Sequence, residues 1–492
     1  MEAYHFENIS YAYSGFEENA LSDVSFEVRR GEFLVVCGAS GSGKSTLLKY
    51  LKENNPDFGY VMQNPSAQIV TDKVYHELAF GMENQGVPAE KMRQKIAELT
   101  VYFGMDQWMH RDTCHLSGGE KQLVNLASVL ATQPDVILLD EPTSQLDPMA
   151  ATEFLEVVKR INAQLGITVI LVEQRLEEVL SVCDRMLVLQ AGQIAAFGRV
   201  KEVFASICGR GLSREYLHYM PSYIRLYDRY SVKKENCPQS VKEGRAWFLN
   251  HDFKLKYREP EKKNENEKVS VDLREVYFRY EKKGRDILKK VSFRAIPGIV
   301  YGIVGGNGSG KSTLLKILSG AIHCYHGKTD IRGKVGYLPQ EPKYMFIGEK
   351  IRDVVKREET VQKFGLEHLL DRHPYDVSGG QMQRLAMAYL YDDEADIYLF
   401  DEPTKGVDPQ WKKVFGAWLH ELAFSGKTVI LVSHDVEFAA NVCDRMSMCF
   451  DADLSLPVRT EEFFRNDHFY TTAIHKIVRD RYPEIVSERY LE

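Results

Sequence analysis

This chain of 492 residues has no run of the roughly 20 apolar residues that a membrane-spanning helix requires. Its N-terminus, MEAYHFENIS, lacks the basic stretch and apolar run of a secretory signal. Eight cysteines fall without CxxC spacing, which argues against a zinc site and against a secreted disulfide framework, so reduced thiols are expected. Positive charge is not in excess either. With 63 basic and 70 acidic residues the net charge is −7, and no nucleic-acid partner held by phosphate neutralisation is expected.

What is present is a duplication. TVILVEQRLEEV (168–179) matches TVILVSHDVEFA (428–439), SVCDRMLVL (181–189) matches NVCDRMSMC (441–449), and LSDVSFEVRRG (21–31) matches LKKVSFRAIPG (288–298). Two domains are expected, over 1–225 and 270–492, with 226–269 as linker and small subdomain. The stretch REPEKKNENEKVS (258–270) is polar and aperiodic, as an exposed linker would be, whereas CPQSVKEGRAWFL (237–249) has some helical patterning. In each copy short apolar runs such as FLVVCG (33–38) and VYGIVG (300–305) alternate with longer helical patterns. That pattern predicts an α/β fold with a mainly parallel sheet in each copy.

GASGSGKST (38–46) and GGNGSGKST (305–313) both satisfy G-x-x-x-x-G-K-[ST] between a strand and a helix. Glycines Gly38, Gly41 and Gly43, with Ser40, and Gly305, Gly308 and Gly310, with Asn307, let backbone N–H groups turn toward phosphate oxygens. Lys44 and Lys311 suit the β and γ phosphates, Ser45 and Ser312 suit Mg2+, and Thr46 and Thr313 complete each loop. Two matches in register leave chance little room.

Two apolar strands end in Asp140-Glu141 and Asp401-Glu402. The aspartate suits the magnesium shell and the glutamate suits orienting or deprotonating water. Pro-Thr follows each pair, and Asp147 or Asp408 follows at the same spacing, which a merely solvated strand end would not repeat. LSGGEKQLVNLA (116–127) and VSGGQMQRLAMA (377–388) place Ser117, Gly118 and Gly119, and Ser378, Gly379 and Gly380, at the start of a helix. Backbone donors and a hydroxyl there suit an anion, although a lone Ser-Gly-Gly could be a simple cap.

Ser-Gly-Gly ahead of each Asp-Glu strand resembles the signature of the ATP-binding cassette (ABC) ATPases. The resemblance covers nearly the whole chain and implies two tandem P-loop domains paired head to tail within the chain, hydrolysing ATP to ADP and phosphate with Mg2+. It implies one composite site from Lys44, Gln63, Asp140 and Glu141 with Ser378, Gly379 and Gly380. The other would join Lys311, Gln340, Asp401, Glu402 and His434 to Ser117, Gly118 and Gly119. Gln63 and Gln340 would reach the metal, and Tyr13 and Tyr280 match the adenine-stacking aromatic, with Tyr11, Tyr277 and Phe278 as near alternatives.

Within that family, QNPSAQIVTDKVYHELAFGMENQG (63–86) resembles the ATPase subunits of energy-coupling-factor (ECF) transporters, as do TKGVDP (404–409), PQSVKEGRAWF (238–248) and FFRNDHFYTTAIHKIVRD (463–480). That likeness implies a transmembrane coupling protein and a small substrate-capturing membrane protein as partners, uptake of a vitamin or metal ion, and a place at the cytoplasmic face of the membrane. Translation-factor-type tandem ABC proteins are the alternative, but they would need a strongly basic linker, and here the lysines are interleaved with glutamates. Fused sugar-importer ATPases resemble the chain less.

Two departures stand out. Gln63 follows Lys44 more closely than Gln340 follows Lys311, so the small antiparallel subdomain should be cut down, most severely in the first domain. Where the family carries a histidine contacting the γ phosphate, the second copy has His434 and the first has Gln174. An amide donates a hydrogen bond but carries no proton, so unequal sites are expected.

Overall fold

The computed structural model describes residues 3–13, 19–174, 176–208, 214–231, 237–259, 268–377, 379–405, 407–466 and 470–491. The chain divides into two units, Met1–Ser240 and Val241–Glu492. The polar centre of the expected linker, 260–267, lies outside the described residues, as do Ser378 and Gly406.

In the first unit a six-stranded sheet runs in the order Gly59–Val61, Val136–Asp140, Thr168–Val172, Phe33–Gly38, Arg185–Gln190, Gln193–Arg199. Its first five strands are parallel and the last is antiparallel. The four strands Phe33–Gly38, Val136–Asp140, Thr168–Val172 and, but for its ends, Arg185–Gln190 are wholly buried, which is why they read as continuous apolar runs rather than alternating ones. One face packs with Leu47, Leu48 and Leu51 of the helix Lys44–Asn54 and with Val24, Phe26 and Val28 of an antiparallel pair, Ala3–Tyr11 with Leu21–Arg29. Each such buried apolar side chain stabilises the fold by about 1.5–3 kcal/mol.

The second unit repeats the plan. Val335–Leu338, Ile397–Asp401, Thr428–Val432, Val300–Val304 and Arg445–Phe450 are parallel neighbours in that order. Its small antiparallel sheet has a third strand, His326–Ile331, paired with Val271–Phe278. The corresponding sheet of the first unit has two strands, and there the helix Lys44–Asn54 leads directly to Gly59–Val61.

Val241–Leu249 packs on the C-terminal helix Ala473–Val478. Arg245 pairs with Asp480 at 2.5 Å, Arg481 donates to the carbonyls of His251 (2.7 Å) and Leu249 (2.9 Å), and Tyr482 donates to Phe253 O at 2.9 Å. The piece that precedes the second sheet in sequence is thereby fastened to the piece that follows it.

Register decides what meets at the strand ends. Asp140 is paired with Val172, and Asp401 with Val432. Each glutamate then donates its backbone N–H across the same gap, Glu141 to Val172 O at 2.9 Å and Glu402 to Val432 O at 3.0 Å. The residues just past the two TVILV strands are therefore held beside the residues just past the two Asp strands.

Candidate functional site

In both loops glycine is required by backbone shape. Gly38, Gly41 and Gly43 have φ of 146°, 78° and 98°, and Gly305, Gly308 and Gly310 have 149°, 73° and 106°. A Cβ on Gly38 would lie 2.2 Å from Leu189 O, and one on Gly305 2.2 Å from Cys449 O, so these two are pressed against the neighbouring strand. Around Gly41 and Gly308 a Cβ would meet nothing within 4 Å, which leaves a backbone surface open to a ligand. Ser40 and Asn307 are exposed at the loop tips.

Lys44 curls back so that Nζ donates to Gly38 O (2.9 Å) and Ala39 O (2.7 Å), and Lys311 does the same to Gly305 O (2.9 Å) and Gly306 O (2.8 Å). Both lysines are buried, so an ammonium charge is held inside each loop where an anion would be cradled.

Ser45 Oγ donates to Asp140 Oδ1 at 2.8 Å, and Tyr60 OH donates to Asp140 Oδ2 at 3.0 Å. In the second unit Tyr337 OH lies 3.5 Å from Asp401 Oδ2, and the Ser312 hydroxyl is beside the same carboxyl. Burial pushes both aspartates above their ordinary range, and the hydroxyls pull them back.

The two glutamates differ. Both sit at positive φ, 44° for Glu141 and 53° for Glu402, and burial pushes each up to about 7. Glu141 accepts Gln63 Nε2 on Oε2 (2.8 Å) and Gln174 Nε2 on Oε1 (2.6 Å). Glu402 faces His434 twice, with the His434 backbone N–H on Oε2 (3.1 Å) and ring Nε2 3.1 Å from Oε1. Gln340 is exposed and has no such bond to Glu402 among the described residues.

Tyr13 and Tyr280 stand at the rim of each loop. Tyr13 OH is 3.1 Å from Thr46 Oγ1 and Tyr280 OH is 3.2 Å from Thr313 Oγ1. Tyr280 is 61% exposed and Tyr13 42%, while the alternative Phe278 is buried, so the exposed rings of the pair are the tyrosines.

Ser117, Gly118 and Gly119 open the helix Gly118–Ala131, and Gly379 and Gly380 open Gly379–Asp393. Ser117 forms a capping box, its Oγ accepting Glu120 N (3.3 Å) while Glu120 Oε2 accepts Ser117 N (2.7 Å). A Cβ on Gly379 would meet nothing within 4 Å and one on Gly118 only Gln145 O and Leu146 Cδ2 at 3.9 Å, whereas one on Gly119 would lie 3.4 Å from Ala150 Cβ; Gly380 follows in the helix. Asp147 and Asp408 are N-caps of Pro148–Leu165 and Pro409–Phe424, so both have a local structural duty.

A family model described as ABC transporter matches residues 21–144 and 288–405, once in each unit. A putative ABC transporter ATP-binding protein of Bacillus cereus is 37% identical over 529 residues, covering 97% of this chain and 95% of that protein. The chain belongs to the ABC transporter ATPase family.

Another relative of this ABC ATPase, the putative HMP/thiamine import ATP-binding protein YkoD of Bacillus subtilis, is 28% identical and covers 94% of the chain and 92% of its own length. Among solved structures, the complex of archaeal ribosomal stalk protein aP1 and archaeal ribosome recycling factor aABCE1 superposes with a TM-score of 0.63 at 21% identity, over 93% of this chain and 91% of that one. At that identity the likeness concerns the fold alone.

The tandem ABC ATPase domains have donor sets that fit ATP and Mg2+. Open glycine backbone and a buried lysine suit phosphate, and aspartate, serine hydroxyl and glutamine carbonyl are the hard oxygen ligands that Mg2+ takes. Ser45, Asp140 and Gln63 would hold the metal in the first unit, and Ser312, Asp401 and Gln340 in the second. Bound there, the metal would neutralise phosphate charge during hydrolysis.

Two features were missed in the sequence. Tyr60 and Tyr337 each precede the loop glutamine by the same step, a repeat that could have flagged them. Glu173 is 1% exposed beside Glu141, where the second copy has Ser433, also 1% exposed. A carboxyl inserted at the end of an apolar strand was the signal.

Proposed function

We propose that this ABC ATPase is the ATP-hydrolysing subunit of an ECF-type importer, driving uptake of a vitamin or metal ion through a separate transmembrane coupling protein and a small substrate-capturing membrane protein. It works at the cytoplasmic face of the membrane, with ATP and Mg2+. The Glu402–His434 site is the faster and the Glu141–Gln174 site the slower.

The observation that carries the reading is how the QNP-x-x-Q stretch is built. Asn64 caps the short helix Pro65–Gln68, Gln68 accepts Met62 N (2.7 Å) and donates to Tyr60 O (3.0 Å), and Asn125 donates to Pro65 O (3.0 Å). Glu77, from the ELAFG stretch, accepts Val70 N (3.1 Å), Thr71 N (2.9 Å) and Thr71 Oγ1 (2.9 Å) on one oxygen. The residues that carry the ECF resemblance thus hold one loop in shape next to Gln63, and that loop leaves Val70 63% exposed. An exposed apolar side chain on the loop that follows Gln63 in sequence suits a docking point for a membrane partner. The importer-type name of the Bacillus subtilis relative points the same way.

The test is purification of the tagged chain from detergent-solubilised membranes. A large multi-spanning protein and a small membrane protein should come with it, and Val70→Asp should release both while leaving affinity for an ATP analogue unchanged. Recovery with ribosomes and without membrane proteins would reject the importer.

A further inference from the structure

We propose that Glu173 is the positioning residue for Gln174 and that positions 173 and 174 act as one two-residue determinant of how the first unit engages Glu141. The proposal rests on Glu141 and Glu402 being the water-orienting groups of their sites.

The same backbone N–H is used differently in the two units. In the second, residue 434 donates its N–H to the glutamate, Glu402 Oε2, at 3.1 Å. In the first, residue 174 donates its N–H to Glu173 Oε2 at 2.9 Å. Glu173 therefore takes the donor that its counterpart leaves for the reaction site.

Glu173 is tied on its other oxygen as well. Its Oε1 accepts Thr143 N at 3.2 Å and also the Thr143 hydroxyl. Thr143 lies in the turn directly after Glu141, so Glu173 links the end of the Thr168–Val172 strand to that turn. Three N–H and O–H donors converge on one buried side chain. Only a carboxylate offers two acceptor oxygens and no donor; serine has one oxygen, and glutamine would point an N–H at an N–H.

Ser433 holds its own segment by another route. Its Oγ accepts Asp435 N at 3.0 Å, and Asp435 is paired with Lys412 at 2.5 Å on the helix Pro409–Phe424. The equivalent position on the first unit's helix is Ala151, which has no charge to offer. With the 174 N–H withdrawn, the contact to Glu141 is left to the Gln174 side chain at 2.6 Å, with Gln63 at 2.8 Å on the second oxygen. A histidine placed at 174 alone would inherit a backbone still held by Glu173.

The experiment uses the full chain carrying Glu402→Gln, which silences the second unit, and compares Gln174→His, Glu173→Ser and the double variant. Single-turnover hydrolysis of labelled ATP is read together with the affinity for trinitrophenyl-ATP in Mg2+. The gain from Gln174→His should be about tenfold larger in the presence of Glu173→Ser than in its absence, the coupling expected within one hydrogen-bond network. Nucleotide affinity should hold within about twofold, because the Glu173 carboxyl is engaged by Thr143 and the Gln174 N–H. Equal gains from Gln174→His with and without Glu173→Ser would overturn the proposal, as would a loss of affinity large enough to account for the rates. Absence of nucleotide binding in the Glu402→Gln parent would instead reject the underlying reading of the site.

Discussion

Gln174 donates from Nε2 to Glu141 Oε1 at 2.6 Å, a neutral amide where the second unit sets an imidazole, His434 Nε2, 3.1 Å from Glu402 Oε1. An imidazole can accept and return a proton near neutrality; an amide cannot. The difference bears on charge developed during hydrolysis more than on binding. Glu402→Gln should lower steady-state ATP hydrolysis by about 10²- to 10³-fold, the usual loss for one such group, while Glu141→Gln should leave most of the rate. Equal losses from the two variants would remove the asymmetry.

Burial raises Glu402 from 4.5 to about 7, so the folded chain binds more proton than the unfolded chain across that window. Stability therefore falls as pH rises from 4.5 to 7, and the penalty is fully present above it. Glu402→Gln removes the titrating group and keeps an acceptor for the His434 N–H, its carbonyl oxygen. Without nucleotide, this variant should unfold at higher denaturant than the parent at pH 8, by up to about 3 kcal/mol, and show no gain at pH 4. Glu141→Gln should gain less, because Gln63 and Gln174 both point amide donors at that carboxyl. A gain for Glu402→Gln that does not change with pH would refute the account.

The parts of the site that were legible in the sequence are those that lie close together along the chain. Gly38 to Thr46 folds as strand, loop and helix within nine positions, and its glycine spacing is dictated by local backbone angles. The pairs that went unseen join distant positions through sheet register. Tyr60 meets Asp140 because Gly59–Val61 and Val136–Asp140 are neighbours, and Glu173 meets Thr143 because Asp140 is paired with Val172. Nothing in a single strand's periodicity reveals which strand lies beside it, so the motif is readable and its brace is not.

The two kinds of loop glycine should fail in opposite ways. Gly38→Ala would bring a Cβ to 2.2 Å from Leu189 O, in the neighbouring strand, and 2.9 Å from Ser42 Oγ, in the loop. Its cost should exceed about 4 kcal/mol and appear as lost soluble protein or a sharply lowered unfolding midpoint. Gly41→Ala meets no atom within 4 Å and adds only the strain of φ 78°. That strain is about 1–2 kcal/mol, so the chain should stay folded while affinity for Mg-ATP drops. Intact binding in a folded Gly41→Ala variant would mean phosphate does not approach this backbone.

Tyr280 is tethered by its neighbours and largely exposed. Phe278 lies perpendicular to it, with ring centroids 4.9 Å apart at 89°, the Tyr280 hydroxyl is 3.2 Å from Thr313 Oγ1, and 61% of Tyr280 is exposed. Tyr13 repeats this with Tyr11 at 5.1 Å and 88° and with Thr46 at 3.1 Å. A ring held this way loses little freedom when a base stacks on it, and any purine offers the π-face it needs. Tyr280→Ala should therefore weaken binding of an ATP analogue by about 1–3 kcal/mol, with GTP affected to a similar extent. Tyr280→Phe keeps the ring and loses only the partly exposed tether to Thr313, worth about 1 kcal/mol or less. Matched losses for the alanine and phenylalanine variants would show that the hydroxyl link to the loop, and not the ring face, is what the nucleotide depends on.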